Sequence, residues 1–487
     1  MTPNDNTSIK AQLNIYIYEF DEDAVPVNTI TLSSKTVDEG YTGTVAFTVS
    51  PPDATNKGLT WSSSNTFVVS VNADTGVITA LTAGSAMITA TAKDGSGVSG
   101  TCTVTVNAFV SGARVRITAS EGWLETAYVK WDEFTGAASY DVYYKGGSVS
   151  SYTKIDDPLV RKYQLTGGQT YYRADVLGIA AGSYDIKVVP VVAGTARDGN
   201  ASETSVSVTA HDRSGFAFSS NSPFKSSSGA YTNTGVLAAG AQVIYVTAQN
   251  AKTVTHSVIT SAKGAVTNAV GIGEIVAARQ KGYDKTPLAI RFIGKLTASD
   301  MAGQINSLSL LEVKGKSAHY ECNVTIEGVG DDATTFGWGV LVRNGGNVEV
   351  RNMGFMQFPD DGVSLDTDNH NIWVHNNDFF YGKNGGGDKN KGDGSLDSKK
   401  SGWTTFSYNH FYDSGKCNLL GNGTETPEYL TYHHNWYDHS DSRHPRVRFH
   451  TVHVYNNYYD GVAKYGIGAA KGGPSIFSEA KRLKVPP

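Results

Sequence analysis

Charged side chains that could bind an anion through a metal ion gather in the last third of the chain. Acidic residues come first in this stretch and basic residues follow: Asp361, Asp393, Asp397, Lys416, Arg443, Arg446 and Arg448. Neighbouring carboxylates repel each other unless a cation neutralises them, and their hard oxygen atoms suit Ca²⁺. Arginine and lysine side chains bind carboxylates. If the fold brings the set to one face, it predicts a Ca²⁺ site for an acidic ligand.

An internal repeat supplies elements that could create such a face. An Asn followed two residues later by an aromatic residue recurs at steps of 32, 26 and 22 residues: Asn377 and Phe379, Asn409 and Phe411, Asn435 and Tyr437, Asn457 and Tyr459. Each copy ends an alternating run, and another short run precedes it. Such repeats, without helical segments between them, favour a parallel β-helix whose coils stack at about 4.8 Å. We therefore predict an Asn ladder and an aromatic stack; a propeller fits poorly, because the shortest step leaves no room for four strands.

Two zones of short alternating runs and turns precede the repeat, a pattern typical of antiparallel sandwiches. Residues 25–108 resemble the bacterial Ig-like group 2 module through the motifs 59–64 and 76–80. Residues 111–209 resemble a fibronectin type III module through Trp131 and the Tyr-led run 184–190. We expect both modules to be spacers or surface-attachment domains, since neither shows a convergent catalytic set.

Length and composition limit the classes of function. The 487 residues allow two to four domains, and 41 Lys+Arg against 46 Asp+Glu leave a net charge of −5, which argues against nucleic-acid binding by the chain as a whole. The sequence contains no apolar run of twenty residues and therefore predicts no membrane span. Cys102, Cys322 and Cys417 are too far apart in sequence for a metal knuckle or a disulfide framework, so we expect buried thiols.

The two ends of the chain carry expectations of their own. Residues 1–24 show no secretory signal and are interpreted as a short strand or leader. Module type instead suggests a secreted or cell-surface protein, and we expect a monomer. The last residues, 481–487, lack apolar periodicity, which suggests a β-helix domain over 212–487 that is truncated at its C-terminus.

Nine of the twelve histidines lie at or after position 370, so zinc must be considered. The chain contains no His-Glu-x-x-His motif. His433 and His434 are sequential on a predicted strand, where alternate side chains face opposite ways. The sequence therefore favours packing roles for these rings over a zinc site.

The ordered charged set resembles polysaccharide lyase family 1, the pectate lyases, over about 212–475. The motifs are Asp361-Gly362-Val363, Asp393-Gly394-Ser395-Leu396-Asp397, Lys416 and the run 443–448 (RHPRVR). The resemblance implies an all-β fold, with a right-handed parallel β-helix after the two sandwiches. It also implies roles for single residues: Asp361, Asp393 and Asp397 as Ca²⁺ ligands, Lys416, Arg446 and Arg448 in binding substrate carboxylates, and Arg443 as the base. Asp360 adjoins Asp361, so either could be the ligand.

The implied reaction is β-elimination across 4-linked galacturonan (polygalacturonate), which gives a 4,5-unsaturated end. Because the pKa of an arginine side chain ordinarily lies far above neutrality, an arginine base predicts an alkaline optimum. Two alternatives remain open. The chain could bind pectin in the cell wall without cutting it, or it could be a β-helical glycoside hydrolase that uses Asp393 and Asp397 as its acid and base.

Overall fold

The computed structural model describes residues 24–165, 167–423, 425–479 and 482–484. The leader predicted for residues 1–24 therefore lies outside the described residues, apart from residue 24. The chain divides into two compact units, Met1–Val110 and Ser111–Pro487. Among the described residues the fold is almost wholly β, and no helix is long and apolar enough to cross a membrane.

The first unit is a β-sandwich, and the alternating runs predicted from the sequence are confirmed as strands. Trp61 and Ile88 are buried in its core. Gly76 has a φ of +71°, and a Cβ there would lie 2.6 Å from the Trp61 ring, so glycine suits this turn. The strands are Thr29–Leu32, Lys35–Asp38, Thr42–Gly43, Phe47–Ser50, Leu59–Ser63, Val69–Val71, Ile78–Ala80, Gly84–Ala92 and Ser99–Asn107.

The second unit begins with another sandwich, whose core holds the fully buried Trp131 stacked on Tyr172. Its assignment to fibronectin type III and its limits of 111–209 stay predictions. The strands are Ile117–Gly122, Thr126–Trp131, Ala137–Gly146, Val149–Lys154, Val160–Gln164, Thr170–Leu177, Gly182–Val192, Thr195–Ala196 and Ser202–Val208, with 3-10 turns at Asp157–Leu159 and Asp198–Asn200.

The rest of the second unit is the predicted parallel β-helix, whose coils contribute strands to three parallel sheets. Long strands bend from one sheet into the next. Sheet 1 contains Gln242–Val246, Leu288–Thr297, Tyr320–Phe336, Gly345–Arg351, Asp361–His375, Gly394–Ser407, Tyr429–His433, Thr451–Tyr455 and Ser475–Glu479.

Sheets 2 and 3 complete each coil. Sheet 2 takes the ends of Leu288–Thr297 and Tyr320–Phe336, then Gly354–Met356, Asp378–Phe379, His410–Tyr412, Trp436–Asp438, Tyr458–Asp460 and Arg482–Lys484. Sheet 3 takes Leu310–Lys314, Gly339–Arg343, the starts of Asp361–His375 and Gly394–Ser407, bridges at residues 419 and 420, Arg446–Val447 and Gly468–Ala469.

The interior repeats from coil to coil as the sequence predicts. The side-chain amides of Asn377, Asn409 and Asn435 each donate to the side-chain oxygen of the next ladder Asn, at 3.1, 3.1 and 2.9 Å, and the ladder ends at Asn457. A stack of buried rings runs parallel to this ladder, with centroids 5.0 to 5.1 Å apart: Phe355, Phe379, Phe411, Tyr437 and Tyr459. Both the ladder and the stack are confirmed.

One α-helix, Ile272–Arg279, was not predicted, and it packs beside the first coils together with the hairpin Thr255–Ile259 and Val266–Val270. Ile272 and Ile275 are fully buried, so the helix covers apolar surface on the early coils. Two further 3-10 turns lie at Phe216–Phe218 and Gly387–Lys389. All three cysteines are buried and free, as expected.

The segment 211–231 leaves the second sandwich and runs over the outer face of sheet 1. The backbone N–H groups of Phe216 and Ala217 donate to the hydroxyls of Thr431 and Thr405, at 3.0 and 3.1 Å. Ala230 N–H donates in the same way to Thr325, at 2.9 Å. The segment therefore covers this part of the outer face of sheet 1, and Thr325, Thr405 and Thr431 are buried beneath it.

Candidate functional site

Sheet 3 brings the charged residues of successive coils onto neighbouring strands. Asp361 pairs with Gly394, and Ser364 pairs with Asp397. Ser398 then bridges to Leu420, and Leu419 bridges to Arg446. The predicted register, in which the first run of each coil stacks in one sheet, is thereby confirmed. Acidic coils lie directly beside basic ones.

Asp361 and Asp397 converge over Gly394. A Cβ built on Gly394 would lie 2.6 Å from Asp361 Oδ1 and 2.7 Å from Asp397 Oδ2, so any larger residue would fill the space that the two carboxylates share. Both aspartates are only 4% exposed. Leu419 N–H donates to Asp397 Oδ1 at 2.9 Å and fixes that carboxylate. The pair forms a cradle of hard oxygen atoms.

The cradle lacks enough positive charge for two buried carboxylates. Burial raises the pKa of the Asp361 carboxyl well above its usual range, and the neighbouring Asp397 charge raises it further. Burial likewise raises the pKa of Asp397, although Arg443 and Lys399 oppose that shift. The nearest cationic atoms lie at the edge of ion-pair distance: Lys399 Nζ is 4.0 Å from Asp361 Oδ2, and Arg443 Nη1 is 3.8 Å from Asp397 Oδ2.

Asp393 stands apart from this pair. Its Oδ1 lies 3.1 Å from Lys416 Nζ, and its Oδ2 lies 2.5 Å from Lys389 Nζ. Although burial would raise its pKa, hydrogen bonds from Lys389 and Lys416 lower the pKa of Asp393 below its usual value. Lys416 also pairs with Asp388 at 2.8 Å. The structure thus brings Asp361 and Asp397 together and places Asp393 in a separate network of lysines.

The three predicted arginines lie on the coils that follow. Arg443 has a left-handed backbone with a φ of 67°, and its side chain is 16% exposed. The buried ring of His444 bonds Tyr465 O and Ser440 Oγ, both at 2.8 Å, and so anchors the loop next to Arg443. Arg448 donates to Gly421 O at 3.2 Å. Arg446 pairs with Leu419 in sheet 3, and Leu419 in turn donates its N–H to Asp397.

Sequence reasoning missed Lys399, the cation nearest to Asp361. It stands two residues after Asp397 on the strand Gly394–Ser407, so the two side chains share one face. The spacing of two residues from Asp397 is the sequence feature that could have predicted Lys399 at the cradle. Of the adjacent pair Asp360 and Asp361, it is Asp361 that faces the cradle over Gly394; Asp360 is half-buried.

The prediction that the rings of His433 and His434 face opposite ways is wrong. The two Nδ1 atoms lie 2.9 Å apart, and both face Asp212. The cause is the backbone of His434, whose φ of 53° lies in the left-handed region, so the alternation of a regular strand does not hold there.

Fold and site together define the class of protein: a parallel β-helix that carries a buried acidic pair beside basic residues on one sheet. Residues 204–485 match the family described as pectate lyase, and the chain belongs to that family. Residues 24–107 match the family described as bacterial Ig-like domain (group 2), which confirms the interpretation of that zone.

Curated relatives agree with this membership. The pectate trisaccharide-lyase of Bacillus licheniformis is 31% identical over 221 residues, which cover 44% of this chain and 61% of that protein. Pectate lyase 2 of Pectobacterium carotovorum is 37% identical over 164 residues, 31% of this chain and 43% of that protein. The chain thus spans about three fifths or less of the length of these relatives.

Among solved structures, a pectate lyase from Bacillus sp. N165 in complex with trigalacturonate matches with a TM-score of 0.43 and 24% identity. The match covers 55% of this chain and 74% of that one.

Proposed function

We propose that this protein is a Ca²⁺-dependent pectate lyase that cleaves 4-linked galacturonan by β-elimination. The observation that carries the proposal is the convergence of the buried Asp361 and Asp397 carboxylates over Gly394, beside Arg443. Membership in the pectate lyase family supports it. Because galacturonan lies outside the cell, the proposal includes secretion or display at the cell surface.

The donor set fits Ca²⁺. Burial raises the pKa of both carboxyls, and the Asp397 charge raises that of Asp361 further, so both gain stability from a shared cation. Oxygen is the ligand atom that Ca²⁺ prefers. Asp361 and Asp397 would hold the ion, and Asp393 would join them as the third carboxylate by leaving Lys389 and Lys416. When bound, Ca²⁺ would supply Lewis acidity that spreads the charge of the substrate carboxylate and makes the adjacent C5 proton more acidic.

Arg443 is the residue placed to take that proton. Its guanidinium lies beside Asp397, at the edge of the acidic cradle, and most of its side chain is shielded from water. In its neutral guanidine form Arg443 accepts the C5 proton and becomes guanidinium, the C5–H electrons form the C4–C5 double bond, and the C4 oxygen leaves with the electrons of the C4–O bond and takes a proton from water.

Three further cations would hold and orient the polyanion. Arg446 pairs with Leu419, which lies between it and Asp397 in sheet 3, and Arg448 follows on the same coil. Lys416 lies at the other side, where Asp388 and Asp393 keep it in place. An arginine fork binds a planar carboxylate through two parallel hydrogen bonds. Substrate carboxylates would therefore lie along the basic coils.

Hydrolysis by Asp393 and Asp397 is less well supported. A glycosidase acid needs a raised pKa so that it stays protonated near neutrality. Asp393 has the opposite property, since two lysines lower its pKa. Only Asp397, whose pKa burial raises, could then be the acid, and the basic residues beside it favour elimination on an acidic sugar over hydrolysis.

The test uses polygalacturonate, the full chain, and ultraviolet absorbance of the unsaturated product, with Ca²⁺ and with chelator. We expect absorbance to rise with Ca²⁺, to stop with chelator, and to be lost in Asp361→Asn and Asp397→Asn. Asp366→Asn is the matched control, because Asp366 lies on the same strand but pairs with Arg343 at 2.6 Å. Reducing ends without absorbance would establish hydrolysis instead, and binding without either signal would establish a wall-binding protein.

A further inference from the structure

Three metal-ligating atoms meet on the covered face of sheet 1, away from the acidic cradle. His433 Nδ1 lies 2.9 Å from His434 Nδ1 and 3.8 Å from Asp212 Oδ2. His434 Nδ1 lies 4.0 Å from the same Asp212 oxygen. The His433 ring is fully buried, and the other two residues are partly exposed.

The turn between sheets 1 and 2 explains why neighbouring rings meet. The residue before each ladder Asn has a left-handed backbone, and His434 is the member of this row before Asn435. Such a residue ends the alternation of the strand Tyr429–His433, so the His434 ring falls on the side of His433. The row, with φ between 50° and 54°, is Asn376, Tyr408, His434 and Asn456, and Asn352 before Met353 has the same backbone one coil earlier.

Neighbouring side chains hold all three groups in place. Tyr455 stacks on His433 with centroids 4.9 Å apart, and Tyr408 stacks on His434 at 4.6 Å. Asp212 accepts hydrogen bonds from Ser214 N–H at 2.9 Å, Ser214 Oγ at 2.6 Å and Tyr408 Oη at 3.1 Å. The groups around a metal ligand commonly orient it in this way.

We infer that Asp212, His433 and His434 form a binding site for a transition-metal ion of the Zn²⁺ class. Zinc bonds to nitrogen and oxygen of about 2.0–2.2 Å in a tetrahedron place ligand atoms about 3.4 Å apart. The three separations of 2.9, 3.8 and 4.0 Å lie on both sides of that distance. Two imidazoles select Zn²⁺ over Ca²⁺ or Mg²⁺. Three protein ligands leave the fourth position to water.

The ion would link two parts of the second unit that are far apart in sequence. Asp212 belongs to the segment that leaves the second sandwich, whereas His433 and His434 belong to a late coil of the β-helix. Between them the segment is held by hydrogen bonds from Phe216 and Ala217 to threonines of sheet 1. A metal at Asp212 would add a coordinate link between the connecting segment and the coil.

The test measures Zn²⁺ binding to the full chain by competition with a chromogenic chelator, in excess Ca²⁺ so that the acidic cradle does not take up zinc. We expect one equivalent bound by the wild type and affinity weakened by more than about 100-fold in Asp212→Asn and His434→Phe, since even loss of a supporting group costs 10–100-fold. His434→Phe keeps a ring to stack on Tyr408. His410→Phe is the matched control: His410 stacks on Trp436 and pairs with Asp378 and Asp438, and it lies outside the one group of three metal-ligating atoms within 4.8 Å of one another that the described residues form.

Co²⁺ provides a second readout that does not depend on the variants' folding. The wild type with one equivalent of Co²⁺ should show the ligand-field absorption of a four-coordinate nitrogen and oxygen site. No Zn²⁺ uptake by the wild type, an octahedral Co²⁺ spectrum, or equal Zn²⁺ affinity in the folded Asp212 variant would each overturn the site. None of these readouts uses lyase activity.

Discussion

Two clusters of buried carboxylates in the same β-helix are neutralised in opposite ways. On the outer face of sheet 1, Glu327 lies between Arg291, at 2.8 Å, and Arg351, at 2.8 Å, and Tyr231 also donates to it. Although burial would raise its pKa, Arg351 and Arg291 lower the pKa of Glu327 to about 2. On sheet 3, the cations of the described residues come no closer than 3.8 Å to Asp361 and Asp397, and the pKa values of both carboxyls are raised.

The difference separates a structural ion network from a binding site. The guanidinium groups of the first cluster are permanent counter-charges, buried under the segment 211–231. In the second cluster the fixed cations are more distant, and the proposed Ca²⁺ would supply the counter-charge. Buried carboxylates alone therefore do not identify a site; the distance to fixed cations does.

The largest effect is expected from Asp397→Asn. Removing one carboxylate of the cradle should reduce lyase activity about 10³-fold, because a bound metal stabilises a charged transition state by several kcal/mol. Without Ca²⁺ the variant should be as stable as the wild type or more so, since a buried uncompensated charge is lost. Kinetics at saturating Ca²⁺ and denaturant unfolding in chelator measure both. Activity within tenfold of the wild type would contradict the assignment.

The reverse pattern is expected from Glu327→Gln. The change leaves Arg291 and Arg351 buried beside a neutral group, and breaking a buried pair from one side costs about 3–5 kcal/mol. Urea unfolding measures the loss, and the folded fraction should keep its Ca²⁺-dependent activity. Asp366→Asn, which breaks a half-exposed pair with Arg343, is the control and should cost about 1 kcal/mol or less. Equal losses in the two variants would remove the distinction between the clusters.

A pH-dependent effect is expected from Glu349, which borders the first cluster. Burial raises the pKa of Glu349 to about 7, against the pull of Arg351. Between the usual pKa of 4.5 and 7 the unfolded chain loses this proton and the folded chain keeps it, so rising pH opposes folding through this group. From pH 4.5 to 7, Glu349→Gln should therefore gain stability relative to the wild type, by at most about 3 kcal/mol. Parallel stability–pH curves would show that Glu349 titrates normally.

The smallest effect is stabilisation by Ca²⁺ itself. At a Ca²⁺ concentration 100 times the dissociation constant, the wild type should gain about 2.7 kcal/mol over the chelator-treated protein. Asp361→Asn should gain far less, and Glu349→Gln should gain as much as the wild type. Thermal unfolding with and without chelator measures the three gains. A full gain in Asp361→Asn would place the ion elsewhere.

Much of the β-helix could be predicted because its interior is periodic. An Asn occurs at the same turn of each later coil, from Asn377 to Asn457, and each copy donates to the next. The repeat is therefore visible in the sequence. The earlier coils lack this motif. Arg291, Glu327 and Arg351 are separated by 36 and 24 residues, so nothing local indicated that they meet.

The candidate site was predictable in part for the same reason. Asp361 and Asp397 precede or lie within recognisable strands, and stacking in sheet 3 follows from the repeat. The partners of Asp393 were not predictable, because Lys389 and Lys416 approach it from a 3-10 turn and a neighbouring coil. His433 and His434 were misjudged because a single left-handed residue at the turn overrides strand alternation.

The sequence by itself determined the composition of the coils, the order of acids before bases, and the family resemblance, since these follow from residue type and spacing along one chain. Only the tertiary structure decided which charges are neutralised. Coulombic interaction and desolvation depend on distances of a few ångströms between residues on different coils. The two clusters of buried carboxylates contain the same functional group, and only the positions of the surrounding cations separate them.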